Sequence, residues 1–444
     1  MNDKIFRTVL FPIMERKSGT EIQQCLRKLE KSQWFTRAEI ERNQEQKLQA
    51  LIRHAYKNVP YYHHIFRERG IRPEDIKTKA DLGKIPLLTK DIIRNHFDEL
   101  VAVNIPDSQR IAVHSSGSTG EPMKYYIDKA TYSAGWAQTF RCWGWAGYRL
   151  GEPYVKISLN PRNSLYKKSQ DILMNTKYIY ASGITEANIS QKISEIKQFN
   201  PKIIRGYASY LYLLAKNMEK NGITYSGATL ATTGDMLYPG YRKSLEQQFN
   251  CKVFDGYGGE GTTAAFECEA HEGLHICEED VLVEFLSNNE KAAPGELANI
   301  VLTNLNNYAM PFIRYDIRDL GTYSDDVCSC GRKMALMKSI EGRDADIVVT
   351  PGGDYLVVQF FTVLFKYFEG VDQFQIVQES LNELRVKIIR NEKFRETELT
   401  QIHDKIQERM GTSVKIRIEF VEDIPLYGRS GKRRFVISHV PLHI

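Results

Sequence analysis

Ile203-Ile-Arg-Gly-Tyr-Ala-Ser209 reads as a short β-branched strand that stops on a tip of glycine and hydroxyl residues. Helical patterns flank it, Ile189 to Phe199 before and Tyr210 to Asn221 after. The unit then repeats: Ala228 to Thr233 is predicted as strand, Pro239 to Phe249 as helix and Cys251 to Asp255 as strand. Strands alternating with helices of this length build a parallel sheet covered by helices, an α/β class. Such sheets gather ligands beyond the carboxyl ends of their strands. Three of those ends carry glycine or polar tips here: Gly206-Tyr207, Thr233-Gly234-Asp235 and Asp255-Gly-Tyr-Gly-Gly-Glu260.

Working outward, residues 281–343 are β-rich, and the pattern changes around Gly352. Tyr355 to Val358 is expected as strand, Gln359 to Phe368 as helix, Gln373 to Gln378 and Glu383 to Ile389 as strands, Glu396 to Met410 as helix and Val414 to Val421 as strand. That is a small α+β unit joined through Glu341-Gly-Arg-Asp-Ala-Asp346. A chain of 444 residues exceeds one simple core. The expected division is a large domain over 1–342 and a small one over 343–444. Upstream, residues 20–58 have helical periodicity that ends at Asn58-Val-Pro60, and Thr89-Lys-Asp-Ile-Ile resembles a capped helix start. Ala130 to Trp145 is a helical pattern rich in aromatics (Tyr132, Trp136, Phe140, Trp143, Trp145). Most of these belong to the core, and the remainder could line an apolar pocket.

His114-Ser-Ser-Gly-Ser-Thr-Gly-Glu-Pro-Met-Lys124 is the second informative stretch. Glycines let backbone N–H groups converge on an anion, and the hydroxyls add donors. Ile111-Ala-Val113 and Met123-Lys-Tyr-Tyr-Ile127 predict a strand on each side. Lysine does not follow Gly120 directly, and Glu121-Pro122 opposes an immediate helix, which excludes the G-x-x-x-x-G-K-[ST] phosphate loop.

The chain has 60 basic and 55 acidic residues, a net charge of +5 without a basic face, so nucleic acid is not an expected partner. Lys432-Arg-Arg434 is a local run. No apolar run approaches the ~20 residues of a membrane span. No secretory h-region is present, and seven cysteines without framework spacing fit a reducing compartment, so a cytoplasmic location is expected.

Taken in order, these segments resemble the adenylate-forming (acyl-activating) superfamily, and more closely its phenylacetate–CoA ligase and CapK-like branch. The likeness rests on Ser115-Ser-Gly-Ser-Thr-Gly-Glu-Pro122, Gly206-Tyr-Ala-Ser209, Gly234-Asp-Met-Leu237, Asp255-Gly-Tyr-Gly258, Ile313-Arg-Tyr-Asp-Ile-Arg-Asp-Leu-Gly321, Arg429-Ser-Gly-Lys-Arg-Arg434 and Ala55-Tyr-Lys-Asn-Val-Pro-Tyr-Tyr62. It implies a large domain that holds ATP and a carboxylic acid, and a lid that swings between making acyl-AMP and passing the acyl group on. It further implies that Ser115, Ser116, Gly117, Ser118, Thr119 and Gly120 hold the β- and γ-phosphates. Asp255, Gly256 and Tyr257 would lie against adenine, Asp319 and Arg343 at the ribose. Lys432 would bridge carboxylate and α-phosphate, and Glu260 would bind Mg²⁺. Tyr207, Ser209, Gly234 and Trp136 are the expected acid-binding residues.

Two positions depart from the family pattern. Glu260 stands one residue early after Tyr257-Gly-Gly, and Ala345 occupies the position where an Asp commonly follows the hinge Arg. A Cys₃His zinc site is expected from Cys268, Cys328 and Cys330 with His275, while His271 and Cys277 remain alternatives for the fourth ligand. The expected reaction is ATP-dependent activation of an aryl or apolar acid, with coenzyme A as acceptor. An amine or hydroxyl acceptor is the alternative, and a nucleotide-binding module without catalysis a lesser one. A homodimer is compatible with these readings.

Overall fold

The strand–helix repeat folds as expected, but the sheet it belongs to is larger than either predicted part. A computed structural model describes residues 3–114, 123–158, 164–181, 184, 188–259, 261–343, 348–352, 355–356, 358–365, 368, 370–425 and 434–440. In chain order, β1 (Ile111–His114) and β2 (Lys124–Ile127) form an antiparallel ribbon that brings His114 opposite Lys124. The ribbon holds the two ends of the Ser/Gly stretch together.

A single twelve-stranded sheet follows. Its parallel half comprises β3 (Tyr154–Ser158), β4 (Thr176–Tyr180), β5 (Ile203–Gly206), β6 (Thr229–Thr233) and β7 (Val253–Gly259). Its antiparallel half comprises β8 (Thr262–Glu267), β9 (Leu274–Ile276), β10 (Val281–Ser287), β11 (Glu290–Lys291), β12 (Ala298–Asn304), β13 (Tyr315–Ser324) and β14 (Leu336–Arg343). The order across the sheet is β11-β10-β12-β13-β14-β9-β8-β7-β6-β5-β3-β4. β7 joins the halves: it runs parallel to β6 and turns back antiparallel into β8.

The apolar side chains of the parallel strands alternate between two cores, the pattern of a sheet buried on both faces. Ile204, Leu230 and Val253 pack under the helices Ile189–Phe199, Ala208–Lys220 and Pro239–Phe249. Ile203, Ala231 and Phe254 face the helix Lys129–Trp145, whose Phe140, Trp143 and Trp145 are buried with them. Strands β3 and β4 lie outside the sequence expectation, because tyrosine, threonine and lysine interrupt their short apolar runs.

Two other differences are local. The helix Arg37–Asn58 ends where expected, but Pro60 at once starts a second helix, Pro60–Glu68, since a missing N–H costs nothing at the first helical position. The stretch 20–58 is broken between Ser32 and Arg37, where Thr36 and Glu39 form a capping box.

The C-terminal part has a four-stranded sheet, Lys415–Phe420, Glu383–Arg390, Val371–Ser380 and Val436–Ser438, covered by the helices Val358–Phe365 and Glu396–Met410. The predicted strand at Tyr355 is short, Tyr355–Leu356, and Val358 already belongs to the helix. The core of this part, with Ile376, Val386, Ile388, Phe361 and Ile402, takes in Tyr238 from the tip beyond β6. Tyr238 meets Phe435 edge-on at 5.7 Å between ring centroids. The small unit therefore docks over the carboxyl ends of the parallel strands.

Candidate functional site

Those strand ends open onto a cavity of about 870 Å³. Tyr207 and Ser209 reach it from the end of β5, Gly234 from the end of β6, Asp255, Gly256 and Tyr257 from β7, Asp319 from β13 and Trp136 from the aromatic helix. Arg434 and Phe435 close it from the small unit. The structure thus brings together expected site residues that span 184 positions of sequence, from Trp136 to Asp319.

Each is held by specific chemistry. Asp319 Oδ2 accepts a hydrogen bond from the Tyr257 hydroxyl at 2.9 Å. Arg343 on β14 stands opposite Asp319 in the strand register. Asp255 accepts from Thr232 Oγ1 at 2.5 Å and from the Gly256 N–H at 3.0 Å, while its own N–H donates to Glu267 Oε2 at 2.9 Å. Burial, and then the nearby Glu267 carboxylate, push the Asp255 carboxyl up to about 6. Arg242 donates to the other Glu267 oxygen at 2.7 Å.

At β5 the Ser209 side chain is committed locally. Asp235 accepts from the backbone N–H groups of Ala208 at 2.6 Å and Ser209 at 3.2 Å, and from the Ser209 hydroxyl. A carboxylate there satisfies the orphan donors of the helix start and its dipole. Gly234 has φ +80°, and a Cβ added there would stand 2.8 Å from Tyr207 Cε1. Gly256 is equally confined, since a Cβ would lie 2.8 Å from Phe266 Cδ2. These glycines let Tyr207 and the floor of the cavity approach the strand ends.

Ser115, Ser116, Gly117, Ser118, Thr119 and Gly120, like Glu260 and Lys432, lie outside the described residues. Their flanks converge on the cavity: His114, Gly261 and Arg434 all line it. Sequence reading named Asp235 only as part of a polar strand tip, and it passed over Glu267, Arg242, Lys156 and Arg205. For the last two a signal existed, namely a charged residue inside an otherwise apolar strand.

A second cluster lies at the far end of β8. Cys268, His275, Cys328 and Cys330 present ligand atoms that all lie within 4.8 Å of one another. Cys268 Sγ and Cys328 Sγ are 3.6 Å apart, and Cys330 Sγ is 3.3 Å from His275 Nε2. Tetrahedral Zn–S bonds of about 2.3 Å place neighbouring sulfurs about 3.8 Å apart, so the cluster has the dimensions of a closed metal site. The Ala270 N–H donates to Cys268 Sγ at 3.4 Å, and Gly331 turns the chain after Cys330 with φ +89°. Burial, followed by Arg332, pushes the His275 imidazole down to about 4, which keeps it neutral and able to ligate. Of the two alternatives, His271 sits instead against Glu267 at 3.2 Å, and Cys277 lies 3.8 Å from Cys142.

Comparison with known proteins agrees with this architecture. The phenylacetate–CoA ligase of Thermus thermophilus is 28% identical over 369 residues, 79% of this chain and 81% of that one. Protein CapK of Staphylococcus aureus is 24% identical over 412 residues, 89% of each chain. Residues 348–439 match the CapK C-terminal domain. Over most of its length the chain is thus similar to phenylacetate–CoA ligases and to CapK. The fold matches that of a 2-hydroxyisobutyryl-CoA ligase in its postadenylation state, with TM-score 0.74, 20% identity and 91% and 90% of the two chains covered. The same ligase in its thioesterification state gives 0.60.

Proposed function

We propose that this chain is an AMP-forming acid–CoA ligase. It activates a carboxylic acid with ATP to an acyl-adenylate, releases pyrophosphate and passes the acyl group to the thiol of coenzyme A. The observation that carries this reading is the convergence of Asp255, Tyr257 and Asp319 with the flanks of the Ser/Gly loop on one cavity, in a chain aligned over most of its length with phenylacetate–CoA ligases.

Roles follow from the chemistry of each group. Ser115 to Gly120 offer backbone and hydroxyl donors to the β- and γ-phosphates. An ionised Asp319 is an acceptor suited to the ribose hydroxyls, and Arg343 lies across from it in register. Asp255, with Gly256 and Tyr257, forms the floor beneath adenine. Held by the Thr232 hydroxyl and the Gly256 N–H, Asp255 is a positioning group within that floor. Lys432, carried by the small unit, brings a point charge to the carboxylate and α-phosphate as negative groups approach. Glu260, beside the cavity-lining Gly259 and Gly261, is the carboxylate that would hold Mg²⁺ next to phosphate oxygens, where the cation supplies charge neutralisation. Cys268, His275, Cys328 and Cys330 would hold a structural Zn²⁺ that ties β8, β9 and the segment before β14 together. Residues 343–444 act as the lid against the body 1–342.

The CapK match and the long alignment with CapK favour one second reading, in which an amine or hydroxyl replaces coenzyme A as acceptor. The deciding experiment is acid-dependent pyrophosphate release from ATP, screened over aryl and aliphatic acids, followed by coenzyme A dependence of AMP release. Lys432→Ala is expected to lose adenylation by about a thousandfold while its melting temperature is kept. Adenylation unchanged in that variant would remove Lys432 and the lid from the reaction.

A further inference from the structure

The wall of the cavity beneath the aromatic helix is not uniformly apolar. Arg205 lies on β5 between buried Ile204 and Gly206, and its side chain lines the cavity. Lys156 of β3 is its partner in the strand register and lines the same wall, with Nζ 5.8 Å from the centre of the Trp136 ring. The charged-state neighbours of Arg205 are phenols, Tyr207, Tyr154 and Tyr178, and among the described residues no carboxylate pairs with it. Desolvation pushes its guanidinium below the ordinary value. A guanidinium is always charged and offers a planar fork of donors that matches a carboxylate bidentately. Keeping it half-buried against a cavity, beside phenols and Lys156 and without a carboxylate among the described residues, costs stability unless a ligand anion completes it. Trp136 and Trp143 line the cavity close by, so the same space accepts an apolar or aromatic body.

We propose that the acid activated here carries a second anionic group, a distal carboxylate, which Arg205 receives while the other carboxyl reacts. The inference rests on the ligase reading above and deepens it, from an aryl or apolar acid to an acid with an apolar body and two anionic ends. It also assigns regiochemistry, since the carboxylate bound by Arg205 is the one left unactivated.

The test pairs phenylacetate with 4-carboxyphenylacetate, its neutral 4-carbamoyl analogue and its 4-sulfo analogue. Pyrophosphate release is measured without coenzyme A, which keeps the phosphates of that acceptor out of the measurement. The diacid is expected to exceed the monoacid and the carbamoyl analogue in kcat/KM by at least about tenfold, the worth of one charge-assisted hydrogen-bond pair. Turnover of the sulfo analogue equal to that of the diacid identifies any distal anion, carboxylate or not, as the requirement. Arg205→Gln should bring the ratio of diacid to monoacid to about one, and Arg205→Lys should keep part of it. Equal kcat/KM for diacid and monoacid in the unaltered protein, or a ratio untouched by Arg205→Gln, overturns the inference while leaving the ligase reading in place. Calorimetric binding of the diacid without ATP is the readout independent of catalysis. Should no acid release pyrophosphate, the ligase reading fails, and diacid binding that Arg205→Gln does not weaken overturns the inference as well. In the complete reaction with coenzyme A added, an Arg205→Gln effect confined to KM for coenzyme A would overturn the inference and assign the residue to the acceptor.

Discussion

The cavity and the cysteine–histidine cluster grow from neighbouring residues at the end of β8, yet they are built to opposite ends. Glu267 turns towards the cavity, where it accepts the Asp255 N–H. The next residue, Cys268, turns into the cluster and is fully buried. Around the cavity, acceptors such as Asp319 and donors such as Arg205 face an open space, and glycines at 234 and 256 keep that space clear. Around the cluster, four ligand atoms face one another, and a backbone N–H and the Trp145 ring, 5.6 Å from that of His275, seal the surroundings. Polar groups that point into a void serve an exchangeable ligand. Polar groups that point at each other in a buried space need a resident cation or a shared proton.

Three measurements test this contrast. The largest effect is expected in the closed cluster. Cys328→Ser should abolish metal retained through purification and lower the melting temperature by about 10 °C or more, because binding free energy at such a site is folding free energy. Metal-free protein of unchanged melting temperature would make the cluster four free side chains. Next comes the open site. Asp319→Asn should raise KM for ATP by about ten- to a hundredfold through weakened hydrogen bonds to the ribose, with little change in melting temperature. A stability loss without a KM effect would make Asp319 a brace for Tyr257 only.

The smallest effect concerns Asp255. Its carboxyl is raised from 3.8 to about 6 in the folded state, so between about pH 4 and 6 the folded protein holds a proton that the unfolded chain releases. Stability from this group is present below that window and is lost as pH rises through it. Each tenfold difference in proton affinity is worth about 1.4 kcal/mol. Asp255→Asn should flatten the slope of unfolding free energy against pH between 4 and 6 in denaturant melts. A slope preserved in the variant would assign the titration elsewhere.

Much of the site was legible beforehand because glycine, hydroxyl and carboxylate residues at strand ends have few structural uses other than turning and binding. Sequence reading named His275 and left His271 and Cys277 as alternatives, because their short separations in sequence say nothing about which side of the strand each one leaves. The paired register of β9 with β14, His275 opposite Leu336, carries His275 to the cysteines. Ser209 shows the converse: a hydroxyl at a strand end reads as a ligand donor, and the fold gives it to Asp235, 26 residues away.

Local sequence carried the α/β alternation, the small C-terminal unit and the glycine, hydroxyl and carboxylate residues gathered at the strand ends. Those depend on local periodicity and on the backbone freedom of glycine, which a chain carries wherever it folds. The tertiary fold alone made both halves one sheet that turns at β7. It alone put Tyr238 into the core of the C-terminal unit and left Arg205 facing a cavity. Such facts depend on contacts between strands far apart in the chain, where burial and pairing across the sheet outweigh what any one segment prefers.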